Sequence, residues 1–140
     1  MSHLCEIAVE FRHIDAVRDA CAALGWTLHQ GGRVRSYVGT GEACAWTIEL
    51  TTEASLRQTY NLGLRQAPDG TYALLCDNAM RGPVTPVGQY AGETPRILGR
   101  LRQEYATAVL YAEAALHGWQ LDATQQPDGT RTVWVHGLIG

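Results

Sequence analysis

Apolar and polar residues alternate from Leu4 to Phe11, which puts Cys5, Ile7, Val9 and Phe11 on one face and Glu6, Ala8 and Glu10 on the other. That two-residue period predicts a half-buried strand. The period then lengthens: Ile14, Val17, Cys21 and Leu24 fall three or four apart and predict a helix over 14–24, with Arg18 and Asp19 toward water. Gly25 is placed to end that helix in left-handed backbone. Residues 26–29 read as a short strand, 30–32 as a turn and 33–38 as an extended piece. The clearest strand is 44–50, where Cys44, Trp46, Ile48 and Leu50 point one way. The stretch 51–58 is less ordered. Arms at 60–65 and 71–77 flank Pro68-Asp69-Gly70, whose Asp-Gly supplies the positive-φ residues of a hairpin.

Residues 78–94 form the longest unpatterned segment, broken by Gly82, Pro83, Pro86, Gly88 and Gly92. Thr94 as N-cap and Pro95 at the first helical position then open a second helix that runs to about His117. Its predicted buried stripe is Ile97, Leu101, Tyr105, Ala108, Ala112 and Leu116, with Leu98 and Val109 alongside. Gly118 stops it, and 119–123 with 131–136 close the chain as a second Asp-Gly hairpin. The order β-α-β-β-β, hairpin, loop, α-β-β predicts an α+β fold: two layers, a mostly antiparallel sheet with two helices on one face.

The chain also says nearly the same thing twice. Ala22-Ala23-Leu24-Gly25-Trp26 returns as Ala114-Ala115-Leu116-His117-Gly118-Trp119, and Pro68-Asp69-Gly70-Thr71 returns as Pro127-Asp128-Gly129-Thr130. The echo points to an internal β-α-β-β duplication, with subunits at roughly 1–77 and 94–140 joined by the loop 78–93 in a single domain of 140 residues. Helix stops and hairpin turns converge on the same residues for geometric reasons, so architecture accounts for much of it. Both tryptophans are expected in the core.

Composition narrows the function classes. Hydrophobic residues make up 46% and charged residues 18%, which is a globular balance. All 11 basic residues are arginine, and the net charge of −3 leaves no broad basic field for a nucleic-acid backbone. No stretch approaches the roughly 20 apolar residues of a membrane span. The N-terminal residues lack the layout of a signal peptide, so a cytoplasmic location is expected. Cys5, Cys21, Cys44 and Cys76 lie far apart and fit as small buried hydrophobes. His3, His13, His29, His117 and His136 show no metal-ligand spacing, and no metal or cofactor is expected. Gly39-Thr40-Gly41 imitates a dinucleotide loop, but it lacks the third glycine and the helix that would receive a pyrophosphate.

Two sets of residues carry the remaining functional readings. Arg35, Tyr37, Tyr60 and Asp77 outline a ligand pocket at the sheet's edge, the enzyme or small-ligand alternative. Arg33 and Arg35 share a strand face, Arg96 and Arg100 share a helix face, and with Tyr37, Tyr90 and Tyr111 they outline a basic-aromatic patch for an anion or single-stranded nucleic acid. Against net charge −3, the plain reading is that these arginines solvate a helix and a sheet edge. The leading expectation is a non-enzymatic binding or adaptor module, engaging another protein through a sheet face and the 78–94 loop.

Several short motifs then add up in order: Leu24-Gly25-Trp26, Val34-Arg35-x-Tyr37-x-Gly39, Tyr60-x-x-Gly63, and Asp69-Gly70-x-Tyr72-x-Leu74-x-x-Asp77. The helix Arg100-Leu101-x-Gln103-x-Tyr105-Ala106 and the closing Asp128-Gly129 hairpin complete the set. Over nearly its whole length the chain resembles the uncharacterised family of hypothetical chloroplast open reading frame thirty-five, found in plastids and widely in bacteria. The resemblance implies an α+β protein with no assigned catalytic residues, and an ATPase of the AAA class as a partner. Two departures stand out. Family members carry tryptophan after the residue matching Asp77, where this chain has Asn78, and they are lysine-rich where this chain has no lysine.

Overall fold

A computed structural model describes residues 4–36, 39–77 and 94–137. The first alternating run forms β1 (Leu4–Phe11) and the first helical stripe forms α1 (Ile14–Leu24). Then come β2 (Thr27–Gln30), β3 (Arg33–Ser36), β4 (Gly39–Ala43), β5 (Trp46–Glu49), β6 (Asn61–Gln66) and β7 (Tyr72–Asp77). Helix α2 (Thr94–His117) and the strands β8 (Gln120–Gln125) and β9 (Arg131–His136) follow. Five strands make one antiparallel sheet in the order β1-β7-β6-β5-β2, while β3–β4 and β8–β9 are separate two-stranded ribbons. The fold is α+β, as the pattern predicts. No helix among the described residues is long and apolar enough to cross a membrane.

One face of the sheet holds the core. Ile48, Leu62, Leu64, Leu74 and Cys76, alternate residues of β5, β6 and β7, pack with Val17 and Cys21 of α1 and Ile97, Leu98 and Leu101 of α2. Each large side chain buried this way contributes about 1.5–3 kcal/mol relative to exposure. The helices run antiparallel: Tyr105 of α2 reaches the start of α1, and Arg100 lies over Trp26, just past its end. The Tyr105 hydroxyl accepts from the backbone N–H of Arg12 (2.9 Å) and His13 (3.2 Å), while its ring meets Phe11 edge-on at 4.8 Å. His13 caps α1 with no side-chain hydrogen bond, so this tyrosine satisfies N–H groups at a helix start that lacks a local acceptor.

The opposite face carries a cover absent from the sequence expectation. Gly39–Ala43, read there as a decoy loop, is a strand paired to β3. The ribbon lies against β6, so that a Cβ on Gly63 would collide with Val34 Cγ2 and lie 2.7 Å from Cys44 Sγ. Cys44 was expected to share a face with Trp46, Ile48 and Leu50. It instead precedes β5 and points across Gly63 to the other side, because Gly31 and Leu64 hold the Ala45 backbone in a bend. It is half-buried, unlike Cys21 and Cys76, which are buried as expected. The Cys5 side chain lies outside the described set.

The echoed phrases share local chemistry. Gly25 (φ 75°) and Gly118 (φ 70°) end their helices in left-handed backbone, and Trp26 and Trp119 each donate an N–H five residues back, to Cys21 and Ala114, at 2.9 Å. In the hairpins, Asp69 and Asp128 each accept from the backbone and hydroxyl of the Thr two residues on. The surroundings diverge. Trp26 is buried and donates to Thr52 Oγ1, whereas Trp119, expected in the core, is 38% exposed and stacks on His117. The second helix's stripe is also shorter than expected: burial is complete at Leu101, but Ala112 and Leu116 are exposed. Among the described residues that half of the helix has α1 and the β8–β9 ribbon as its main neighbours.

Gly63→Ala should destabilise the fold by about 1–3 kcal/mol through overpacking against Val34 and Cys44. Urea unfolding measures this, and an unchanged midpoint would mean the ribbon does not seat on β6.

Candidate functional site

The cross-strand register builds a polar row on the ribbon side of the sheet. Glu49 faces Asn61, and continuing the Gly63–Leu75 register by two residues sets Asp77 beside Asn61. Asn61 and Asp77 are fully buried. Arg35 of β3 comes down on this row. Its Nη1 donates to Glu49 Oε1 at 2.7 Å and its Nη2 to Glu49 Oε2 at 2.6 Å, a bidentate fork. Nη2 also donates to the carbonyls of Arg57 (2.9 Å) and Tyr60 (3.1 Å). Asn61 stitches the ribbon backbone to the sheet: its Oδ1 accepts from the Arg35 N–H at 2.6 Å, and its Nδ2 donates to the Arg33 carbonyl at 3.1 Å. The Arg35 hydrogen bond holds the Glu49 carboxyl below the usual carboxylate range, and the guanidinium is raised in return. The buried Arg35 Nε has no hydrogen-bond partner among the described residues.

A second cluster sits where the 51–59 turns meet α2. Glu53, buried in the turn, accepts from Arg96 at 3.0 Å and from Arg100. Arg100 lies 5.8 Å over the Trp26 ring, and Trp26 donates to Thr52 at 3.0 Å. Thr52 in turn donates to the Leu24 carbonyl, so the turn is clamped to the end of α1 and the start of α2 at once.

A family model described as a protein of unknown function, DUF1257, matches residues 20–134. The chain belongs to the DUF1257 family. No curated protein and no solved structure matches it.

In this DUF1257 chain the residues singled out by sequence divide clearly. Arg35, the Tyr60 backbone and Asp77 lie on one face of the sheet, where Arg35 donates to the Tyr60 carbonyl and Asp77 is buried beside Asn61. Three cavities lined by described residues run along α2, and the walls of these three include none of Arg35, Tyr60, Asp77, Arg96 or Arg100. Arg96 and Arg100 share a helix face as expected, and both serve Glu53. Tyr37 and Tyr90 lie outside the described residues, as does the segment 78–93. Glu49, Asn61 and Glu53 escaped the sequence reading. For Glu49 and Asn61 the available signal was a polar residue at an alternate position of an otherwise apolar strand, which alternation alone reads as a solvent face, while Glu53 lies in a turn with no periodic signal. Among the described residues no group of three or more His, Cys, Asp or Glu could hold a metal ion.

Arg35→Met should cost about 1–3 kcal/mol at neutral pH by leaving Glu49 and the Arg57 and Tyr60 carbonyls short of a donor. The pH dependence has a definite sign. A carboxylate held low in the folded state stabilises it above the unfolded value of about 4.3, and that contribution fades as pH falls through the folded value. The variant's deficit in urea midpoint should therefore shrink between pH 7 and pH 3. Equal deficits at the two pH values would remove Glu49 as the partner that matters.

Proposed function

We propose that this DUF1257 chain is a non-enzymatic binding module that engages another protein through its C-terminal ribbon. One observation carries the reading. Trp134 stands 64% exposed on β9. It shares its ribbon face with Asp122, which it pairs opposite, while Arg131, on the other face, is tied to Glu104 and Thr107 of α2. The face bearing Trp134 thus turns away from the helix. Tryptophan is a common anchor of protein interfaces. The ribbon has two strands, so each leaves one edge unpaired among the described residues, and such an edge accepts an added strand.

The polar candidates lend less support to the pocket and anion readings, since Arg35, Arg96 and Arg100 all bond carboxylates within the chain. The resemblance to the chloroplast open reading frame thirty-five proteins supports an ATPase of the AAA class as the first partner to try, with the 78–94 segment as a second contact.

Trp134→Ala should leave stability within about 0.5 kcal/mol, as expected of an exposed site. It should also lower recovery of proteins co-purifying with the chain, identified by mass spectrometry. Equal recovery of the same proteins by wild type and variant would sink the role of this ribbon.

A further inference from the structure

Between its contacts with α1 and with the β8–β9 ribbon, α2 keeps one face uncovered by described residues. Along it Gly99, Arg102, Ala106, Val109, Glu113 and Leu116 recur at alternating intervals of three and four, the spacing of a helix-pairing seam. The seam is about 26 Å long. Gly99, Arg102, Ala106 and Glu113 are exposed, Val109 is half-buried and Leu116 is 79% exposed. A Cβ on Gly99 would meet nothing within 4 Å. A groove of about 490 Å³ follows the same face, walled by Ala106, Val109, Leu110 and Glu113 on one side and by Arg12 and His13 ahead of α1 on the other.

We propose that this face binds a second copy of the chain, α2 against α2 in antiparallel two-fold symmetry. The order of residues along the seam identifies the occupant. Reversing the seam onto itself sets Gly99 against Leu116, Arg102 against Glu113 and Ala106 against Val109. Every pair is complementary: the exposed leucine lands on a glycine, the valine on an alanine, and the cation on the anion. Two-fold symmetry makes each contact twice. Parallel pairing would instead face arginine with arginine and glutamate with glutamate. Small residues at Gly99 and Ala106 let the helix axes approach closely where the large ones insert.

The charges are available for this use. Arg102 makes no ion pair among the described residues, and Glu113 meets only the half-exposed His117, at 3.4 Å. The groove beside Leu116 is edged by His13, Asp15 and Asp19; Asp15 is paired with Arg18 at 2.6 Å, and Asp19 adds negative charge near the end that would receive Arg102.

Sedimentation or light scattering over a concentration series tests the pairing on the full chain, with circular dichroism to confirm folding. Wild type should dimerise. Arg102→Glu should weaken the dimer about tenfold or more, by replacing two attractions with two repulsions. The double variant Arg102→Glu with Glu113→Arg should restore it, which parallel pairing would not do. Leu116→Asp, at an exposed position, should give a monomer by an independent route. Trp134→Ala should dimerise like wild type, so failure of the ribbon interface and failure of this one are distinguishable. A wild type that stays monomeric at every concentration overturns the proposal. So does a folded Arg102→Glu chain of unchanged affinity, or a folded double variant that fails to recover.

Discussion

The arrangement depends first on one guanidinium. Arg35 joins three pieces of chain that no apolar contact could align alone: the ribbon that carries it, the sheet strand that carries Glu49, and the turns that end at Tyr60. Neutral hydrophobic packing is tolerant of sliding, but a bidentate fork with two further carbonyl acceptors fixes position and angle. Asn61 reinforces it through the ribbon's own backbone. The ribbon can then seat Val34 over Gly63, and the sheet becomes covered on both sides in its middle. A buried charge is costly, and here the pair stays about a quarter exposed, so desolvation is partial while the geometry is kept.

The same logic recurs at the other end of the core. Glu53 is to the turns what Glu49 is to the ribbon, a carboxylate drawn inward and met by arginines from a distant element. In both clusters the basic partner is an arginine, as every cation of this chain is. Only a planar fork could serve Glu49 with two parallel bonds, and only a flat cation stacks over Trp26 as Arg100 does. Whatever set the composition, these two sites use the geometry of the residue and not its charge alone.

The elements themselves were largely legible. Periodicity found β1, α1, β5, β6, β7, α2 and both Asp-Gly hairpins, because each has either an apolar stripe or a turn that only certain residues can make. What escaped was tertiary. Gly39–Ala43 has poor intrinsic strand preference and is extended because β3 pairs with it. Leu116 fits the helical stripe by spacing, yet the described elements around it leave it exposed. The sequence groups the candidate arginines by shared faces, and Arg35, Arg96 and Arg100 each bond a carboxylate that this grouping does not include. Glu49 sits inside an apolar run, where alternation assigns it to water, and Glu53 sits in a polar turn that has no period to read.

Helix α2 spans two environments without a break. Its first half is locked into the main core through Ile97, Leu98 and Leu101, whereas its last three turns rest on α1 and a ribbon held by the Gln103, Glu104 and Thr107 contacts. Amide hydrogens along this one helix thus belong to two cooperative units. Those near Leu101, in the main core, are expected to exchange with solvent through wider opening than those beyond Leu110, where burial is lower. A single continuous rod of hydrogen bonds is, in energetic terms, two segments joined near Tyr105.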